Sequence, residues 1–396
     1  MPMKFSKFGR IALASVVFLG LGFGVTACGP SNTIDFLYVT ASKQNPGQIS
    51  VYKVDSEAGA LYQISDSPYS SGGRNPVADV ASASGKNLYV VNHDDNTMVE
   101  FAIGTDGKLY PQQTCNMPGS YPIQLAINKA GTYLYVVETY QPNYSTNIPG
   151  PGALVVFPLN ASGQVPTTGG SCQTVANGTL GFFPLGNNPI AVNVLNGGNF
   201  VYAVNGTDAT VSAFQVGSDG VLNSIGLSSL ATNSAPNAIT SDPAGRFVYV
   251  TAGAANQLYG FVVQSSGSLL PMATPFRTDN LPDAVAVDPR GLYLYVANYN
   301  ANDVTAYTID QSTGNATLVS GSTVYAVGTG PICILVEPSE GRFIYTANFL
   351  GNTVSGLYLD PATGGLSAVQ RTPFPAAQQP TCTAAVTHNH HTIAEP

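Results

Sequence analysis

The chain has no cluster of Lys or Arg: charged residues occupy only 9% of its 396 positions, 14 of them basic and 22 acidic. Phosphate backbones need such clusters, so nucleic acid is not an expected partner. No segment carries an apolar stripe at helical spacing, which argues against a helical domain. Also missing are a Ser-His-Asp order, a nucleophile elbow, a phosphate-binding glycine loop and paired-cysteine zinc spacing. No cofactor and no designed metal site are therefore expected. Histidine is scarce, with four in the chain. Three of them, His388, His390 and His391, fall in a polar tail over residues 388–396, where their spacing offers adventitious metal binding at most.

A long membrane-spanning run is absent as well. The apolar stretch Ile11 to Gly24 is too short and glycine-rich to span convincingly, and it follows Lys4, Lys7 and Arg10 as a secretory signal would. It ends in Val25-Thr26-Ala27-Cys28, which resembles the lipobox of bacterial lipoproteins: small residues admit the peptidase and the Cys28 thiol takes the lipid. Residues 1–27 are thus expected to be removed and residues 28–33 to form a lipidated tether, with the membrane as partner through Cys28. Several acyl chains on one cysteine make a durable anchor. Gly29, rather than Asp, follows that cysteine, which in the sorting pattern it resembles favours the outer membrane. Removing residues 1–27 shifts the net charge from -8 to -11.

What the sequence has in abundance is one strand, written seven times. Tyr293-Leu294-Tyr295-Val296-Ala297-Asn298 is its clearest copy, and Tyr38, Tyr89, Tyr135, Tyr202, Tyr249, Tyr295 and Tyr345 mark the series at spacings of 51, 46, 67, 47, 46 and 50 residues. Aromatic and β-branched residues at this length make a buried strand. Four short strands per repeat at this period predict an all-β, seven-bladed propeller over residues 34–387. Hairpin turns such as Asp310-Gln311-Ser312-Thr313-Gly314 punctuate the repeats. Pro76, Pro122, Pro189, Pro236, Pro282, Pro331 and Pro380 precede the first strands, where no ladder donor is needed. The chain begins at a second strand, Asp35 to Thr40, and ends at a first strand, Cys382 to Thr387. The last strand is therefore expected to complete the first blade and close the ring.

Repeat three carries two insertions, Tyr140 to Gly152 and Thr167 to Leu185, whose Tyr140, Tyr144, Phe182 and Phe183 would suit an exposed binding rim. Apart from Cys28, an even set of cysteines remains: Cys115, Cys172, Cys333 and Cys382. In an exported chain these are expected as disulfides, Cys115 with Cys172 and Cys333 with Cys382, because crossed pairings would link blades that are not neighbours. Candidate acid-base residues are Glu138, which replaces the usual Asn at its strand end, Asp283 at an inner-strand start, and His93 beside Asp94 and Asp95. Arg74 and Arg277 are cations that loops could bring to the same place.

The Tyr-Val-Ala-Asn strand, the Thr-Val strand after it and the Asp-x-x-Thr-Gly turn resemble the Tyr-Val-Thr-Asn repeat family, and equally the seven-bladed lactonase family. The resemblance spans Ile34 to Thr387. It implies a propeller and, from the lactonases, hydrolysis of 6-phosphogluconolactone at a channel mouth built from His and Arg on inner strands. The corresponding positions here read Gly330-Pro331-Ile332-Cys333, Asn188-Pro189-Ile190-Ala191, Ala235-Pro236-Asn237-Ala238 and Leu281-Pro282-Asp283-Ala284, with neither His nor Arg. The expected function is accordingly a lipid-anchored binding or scaffold module with a protein or carbohydrate ligand at the propeller face. The alternative is a lactonase-family hydrolase acting on a sugar lactone.

Overall fold

The computed structural model describes residues 33–320 and 324–388. Cys28, the signal, most of the tether, His390 and His391 lie outside them. The described residues form strands joined by turns. Seven antiparallel blades account for them, with strands running outward in chain order and one extra two-stranded hairpin in blade three. Blade one is closed from the other end of the chain: Thr33–Ala41 pairs with Pro380–Thr387 from Asp35 opposite Thr387 to Ala41 opposite Pro380. Every blade thus has its inner strand, and blade one is not left short of one.

The core is divided among seven layers, each between two neighbouring blades. The second strands are buried on both faces because each touches two layers, which is why they read as continuous apolar runs. The repeated tyrosine locks adjacent blades. Tyr202, Tyr249 and Tyr295 donate their hydroxyls to the carbonyls of Gly267, Gly314 and Gly364 in the hairpin turn of the next blade, at 2.7, 2.7 and 3.0 Å. Tyr345 does the same to Gly59 at 2.8 Å, joining blade seven to blade one. These turn glycines must be glycine: at Gly314 φ is 75°, and a Cβ there would stand 2.4 Å from the ring of Phe247.

In blade three the insertion 167–185 carries the hairpin Thr167–Thr168 and Ser171–Cys172, and Cys172 is bonded to Cys115 on the outer strand of blade two. That expected disulfide is present and pins the insertion to its neighbour. The expected aromatic rim is corrected in part: Phe182 and Phe183 are 7% and 1% exposed and fill inter-blade layers. Phe183 opens the outer strand Phe183–Asn187, whose alternate side chains face one layer, while Phe182 before it turns into the layer on the other side. Tyr144 remains exposed.

Candidate functional site

The seven inner strands surround a cavity of about 980 Å³ that opens on the side of the blade-opening prolines. Two backbone devices shape its mouth. The residue before each of the seven prolines, Asn75, Tyr121, Asn188, Ala235, Leu281, Gly330 and Gln379, has φ between 49° and 67°. Immediately after the proline the ladder skips: Pro282 pairs with Asn298 and Ala284 with Ala297, leaving Asp283 unpaired. The same bulge recurs in the other blades, leaving Val77, Ile123, Ile190, Asn237, Ile332 and Thr381 out of register. A bulge re-aims a side chain, and all seven bulged residues line the mouth. Below them the inner wall carries small residues such as Ala78, Ala191 and Ala284, which leave the space open.

Four residues of this ring are apolar and three, Asn237, Asp283 and Thr381, are polar. Asn237 donates its amide to the Asp283 carboxylate at 2.6 Å. Burial pushes the Asp283 carboxyl up, and that hydrogen bond offsets part of the rise. Asp79 lies deeper on the wall, 6% exposed, and neither oxygen takes a hydrogen bond from an N–H or O–H. Burial pushes its carboxyl well above the usual range, helped by the charge of Cys333. Asp79 is not among the residues expected from the sequence. One signal there does point to it: three residues after the prolines of the other inner strands stand Leu125, Val192, Ile239, Val285, Ile334 and Thr383, so Asp79 alone there is ionisable.

Loops supply what the inner strands lack. Arg74 and Asp94 line the cavity, as does Lys43 from the loop after the second strand of blade one. Arg74 is held by Asp95, which accepts its backbone N–H at 2.7 Å and its Nε at 2.6 Å. His93 Nδ1 lies 2.7 Å from Asp94 Oδ1, and the ring stacks on Tyr121 with centroids 4.7 Å apart. Burial would raise the Asp94 carboxyl, but hydrogen bonds from His93 and Asn75 with the charge of Arg74 hold it below its ordinary value. His93 and Tyr121 line a side bay that shares Arg74, Asp94, Ile123 and Ile190 with the main cavity. His93 is therefore fixed against an aromatic face at the mouth, in the turn that follows Asn92.

The other expected residues fall elsewhere. Glu138 is fully buried and does not line the cavity. Both of its oxygens lie 3.0 Å from the Gly119 N–H, the part that Asn205 Oδ1 plays toward Gly186 N–H in blade four. Glu138 is a scaffold residue in an Asn position; burial pushes it up to about 8 against the lowering effect of that N–H. Arg277 sits on the outer rim, where its carbonyl accepts the Tyr307 hydroxyl at 2.5 Å. Cys333 and Cys382 are brought together on the cavity wall but are not bonded: the two Sγ atoms are 2.8 Å apart and both residues remain thiols. The expected bridge is not formed in this structure, since that separation is beyond the roughly 2.05 Å of an S–S bond.

Comparison with curated proteins finds no match. Among solved structures, the periplasmic gluconolactonase of Pseudomonas aeruginosa is 18% identical with a TM-score of 0.73, covering 89% of this chain and 99% of that one. A candidate 6-phosphogluconolactonase from Bacteroides uniformis is 19% identical with a TM-score of 0.72, covering 90% and 100%. At such identities the likeness speaks for the fold alone. The family model described as Lactonase, 7-bladed beta-propeller, matches residues 35–146 and 183–336, on either side of the blade-three insertion. Matched over both stretches, the chain belongs to the seven-bladed β-propeller lactonase family.

Proposed function

We propose that this chain is a lactonase that opens a neutral sugar lactone at the channel mouth, and that it does so at the cell envelope, held through a lipid on Cys28. The carrying observation is the meeting of Arg74 with the His93–Asp94 pair beside the ring of bulged residues. Asp94 orients His93 through Nδ1, which leaves the other ring nitrogen to take a proton from water as it attacks the lactone carbonyl. The same proton then returns to the ring oxygen as it leaves. Arg74, already aligned by Asp95, stabilises the oxyanion that develops. Asn237 and Asp283 suit sugar hydroxyls, while Val77, Ile123 and Ile190 suit the apolar faces of the ring. A phosphate is disfavoured because the Asp94 carboxylate lines the same cavity and Arg74 is matched by Asp95. The periplasmic gluconolactonase among the structural neighbours agrees with a neutral substrate.

One assay tests the whole reading: hydrolysis of gluconolactone and of its 6-phosphate, corrected for the spontaneous reaction, in membrane and soluble fractions. Activity is expected on the neutral lactone, in membranes for the wild type and in the soluble fraction for Cys28→Ser. His93→Gln is expected to lower kcat by about 100-fold or more, and Arg74→Met by about 100- to 1000-fold. Failure of every lactone to exceed the spontaneous rate would leave the second reading, a binding module. The lack of His and Arg on all seven inner strands favours that reading.

A further inference from the structure

We propose that the channel wall holds a second chemically active site, a Cys333–Cys382 dithiol served by Asp79, which exchanges with small disulfides entering the cavity and closes to a disulfide between blades seven and one. This inference does not depend on the lactonase reading. Three observations carry it. The two Sγ atoms are 2.8 Å apart on inner strands of adjacent blades, and both line a cavity large enough for a small reagent. Cys333 Sγ also lies 3.3 Å from the Thr383 N–H and 3.6 Å from Thr383 Oγ1, donors that suit a thiolate. Asp79 lines the same cavity as a nearly buried carboxyl to which no N–H or O–H donates.

The protonation pattern fits an ordered exchange. The neighbouring Cys382 thiol, outweighing burial, draws the Cys333 thiol down, whereas Cys333 and burial push Cys382 well up. Cys333 is thus the attacking sulfur. Its thiolate attacks one sulfur of the small disulfide, forming a mixed disulfide, and the leaving thiolate takes the proton of the Asp79 carboxyl. The Asp79 carboxylate then takes the proton of Cys382 as Cys382 attacks the Cys333 sulfur, and the second half of the reagent leaves as thiolate. One disulfide is reduced to one thiol and one thiolate, one protein disulfide is formed, and Asp79 ends as it began. The new bond would tie the closing strand Pro380–Thr387 to the blade beside it.

The experiment uses the full chain and the neutral reagent bis(2-hydroxyethyl) disulfide, with alkylation and peptide mapping by mass spectrometry. After reduction that spares the Cys115–Cys172 bond, the wild type is expected to show two alkylatable thiols besides Cys28, to lose both on adding the reagent, and to retain no adduct on either. Cys382→Ser is expected to retain one hydroxyethylthio group, and that group should map to Cys333. Asp79→Asn is expected to capture the reagent at Cys333 but to close at least 10-fold more slowly, so that the mixed disulfide accumulates. If Cys382→Ser fails to fold, the time course of the wild type alone decides, since the mixed disulfide on Cys333 must precede the linked peptides. Two thiols that stay alkylatable in the folded protein after equilibration, or an adduct that maps to Cys382 first, would overturn the proposal.

Discussion

At the residue scale the fold rests on a bond between two halves of one motif that lie in different blades. The tyrosine of the second strand is plain in the sequence, and so is the Asp-x-x-Thr-Gly turn. Nothing in either shows that the hydroxyl of one reaches the carbonyl of the other across the inter-blade layer, 65 residues along the chain for Tyr249 and Gly314. Tyr135 breaks the series: it is fully buried, yet its hydroxyl has no partner. The two positions make a matched test. Tyr249→Phe strands the buried Gly314 carbonyl and is expected to cost about 1–3 kcal/mol, whereas Tyr135→Phe removes an unpaired hydroxyl and is expected to be neutral or stabilising. Thermal melts should separate them by at least about 2 °C. Equal losses at the two sites would show that ring packing, not the hydroxyl, joins the blades.

At the element scale the prolines were legible and the backbone around them was not. Proline fixes its own φ and removes a donor, which marks a strand start. It does not show that the preceding residue turns left-handed or that the following one is squeezed out of the ladder. Asn75 and Gly330 are residues that take a left-handed turn readily, but Tyr121, Ala235 and Leu281 are not, so no local rule exposes the pattern. The bulge was hidden for the same reason: the resemblance marks Asp283 and Asn237 as mouth positions, but it is the skipped ladder position that aims them inward. The turn is braced from the blade before. Asn96, Asn256, Asn302 and Asn352 are themselves left-handed, and their Oδ1 atoms accept the N–H of Tyr121, Leu281, Gly330 and Gln379 at 2.7, 2.8, 2.8 and 2.8 Å. In blade four the position is Ala209, with φ 50° and no acceptor to offer to Ala235. Ala209→Asn should relieve the strain and supply the missing brace, raising stability by about 1 kcal/mol in denaturant melts. Asn302→Ala should lower it by a similar amount. A loss from Ala209→Asn would mean that the brace and the turn are not coupled.

At the scale of the whole molecule, the ring is only as strong as the place where its two ends meet. Seven blades and closure by the last strand could be argued from phase alone, because the chain starts at a second strand and stops at a first. The chemistry of the meeting place could not, since it depends on Asp35 and Glu337, 302 positions apart, sharing one buried site. Asp35 is fully buried on the first strand, where Ser339 donates to it at 2.5 Å. Burial, then the charge of Glu337, pushes its carboxyl from 3.8 up to about 9, and burial raises Glu337 too. Two carboxylates that cannot both ionise must hold a proton between them. A raised carboxyl binds its proton more tightly folded than unfolded, so the stability it contributes is fully present below about pH 4. That stability is lost progressively as the pH rises toward about 9. The melting temperature should therefore fall across that window. Asp35→Asn keeps the shape, can donate to Glu337, and has no proton to lose, so its melting temperature should vary less with pH. At pH 8 to 9 it should exceed the wild type by about 2 °C or more, because each tenfold tightening of the folded protein's hold on that proton corresponds to roughly 1.4 kcal/mol. Parallel curves for the two proteins between pH 4 and 9 would show that the ends of the ring close without a shared proton.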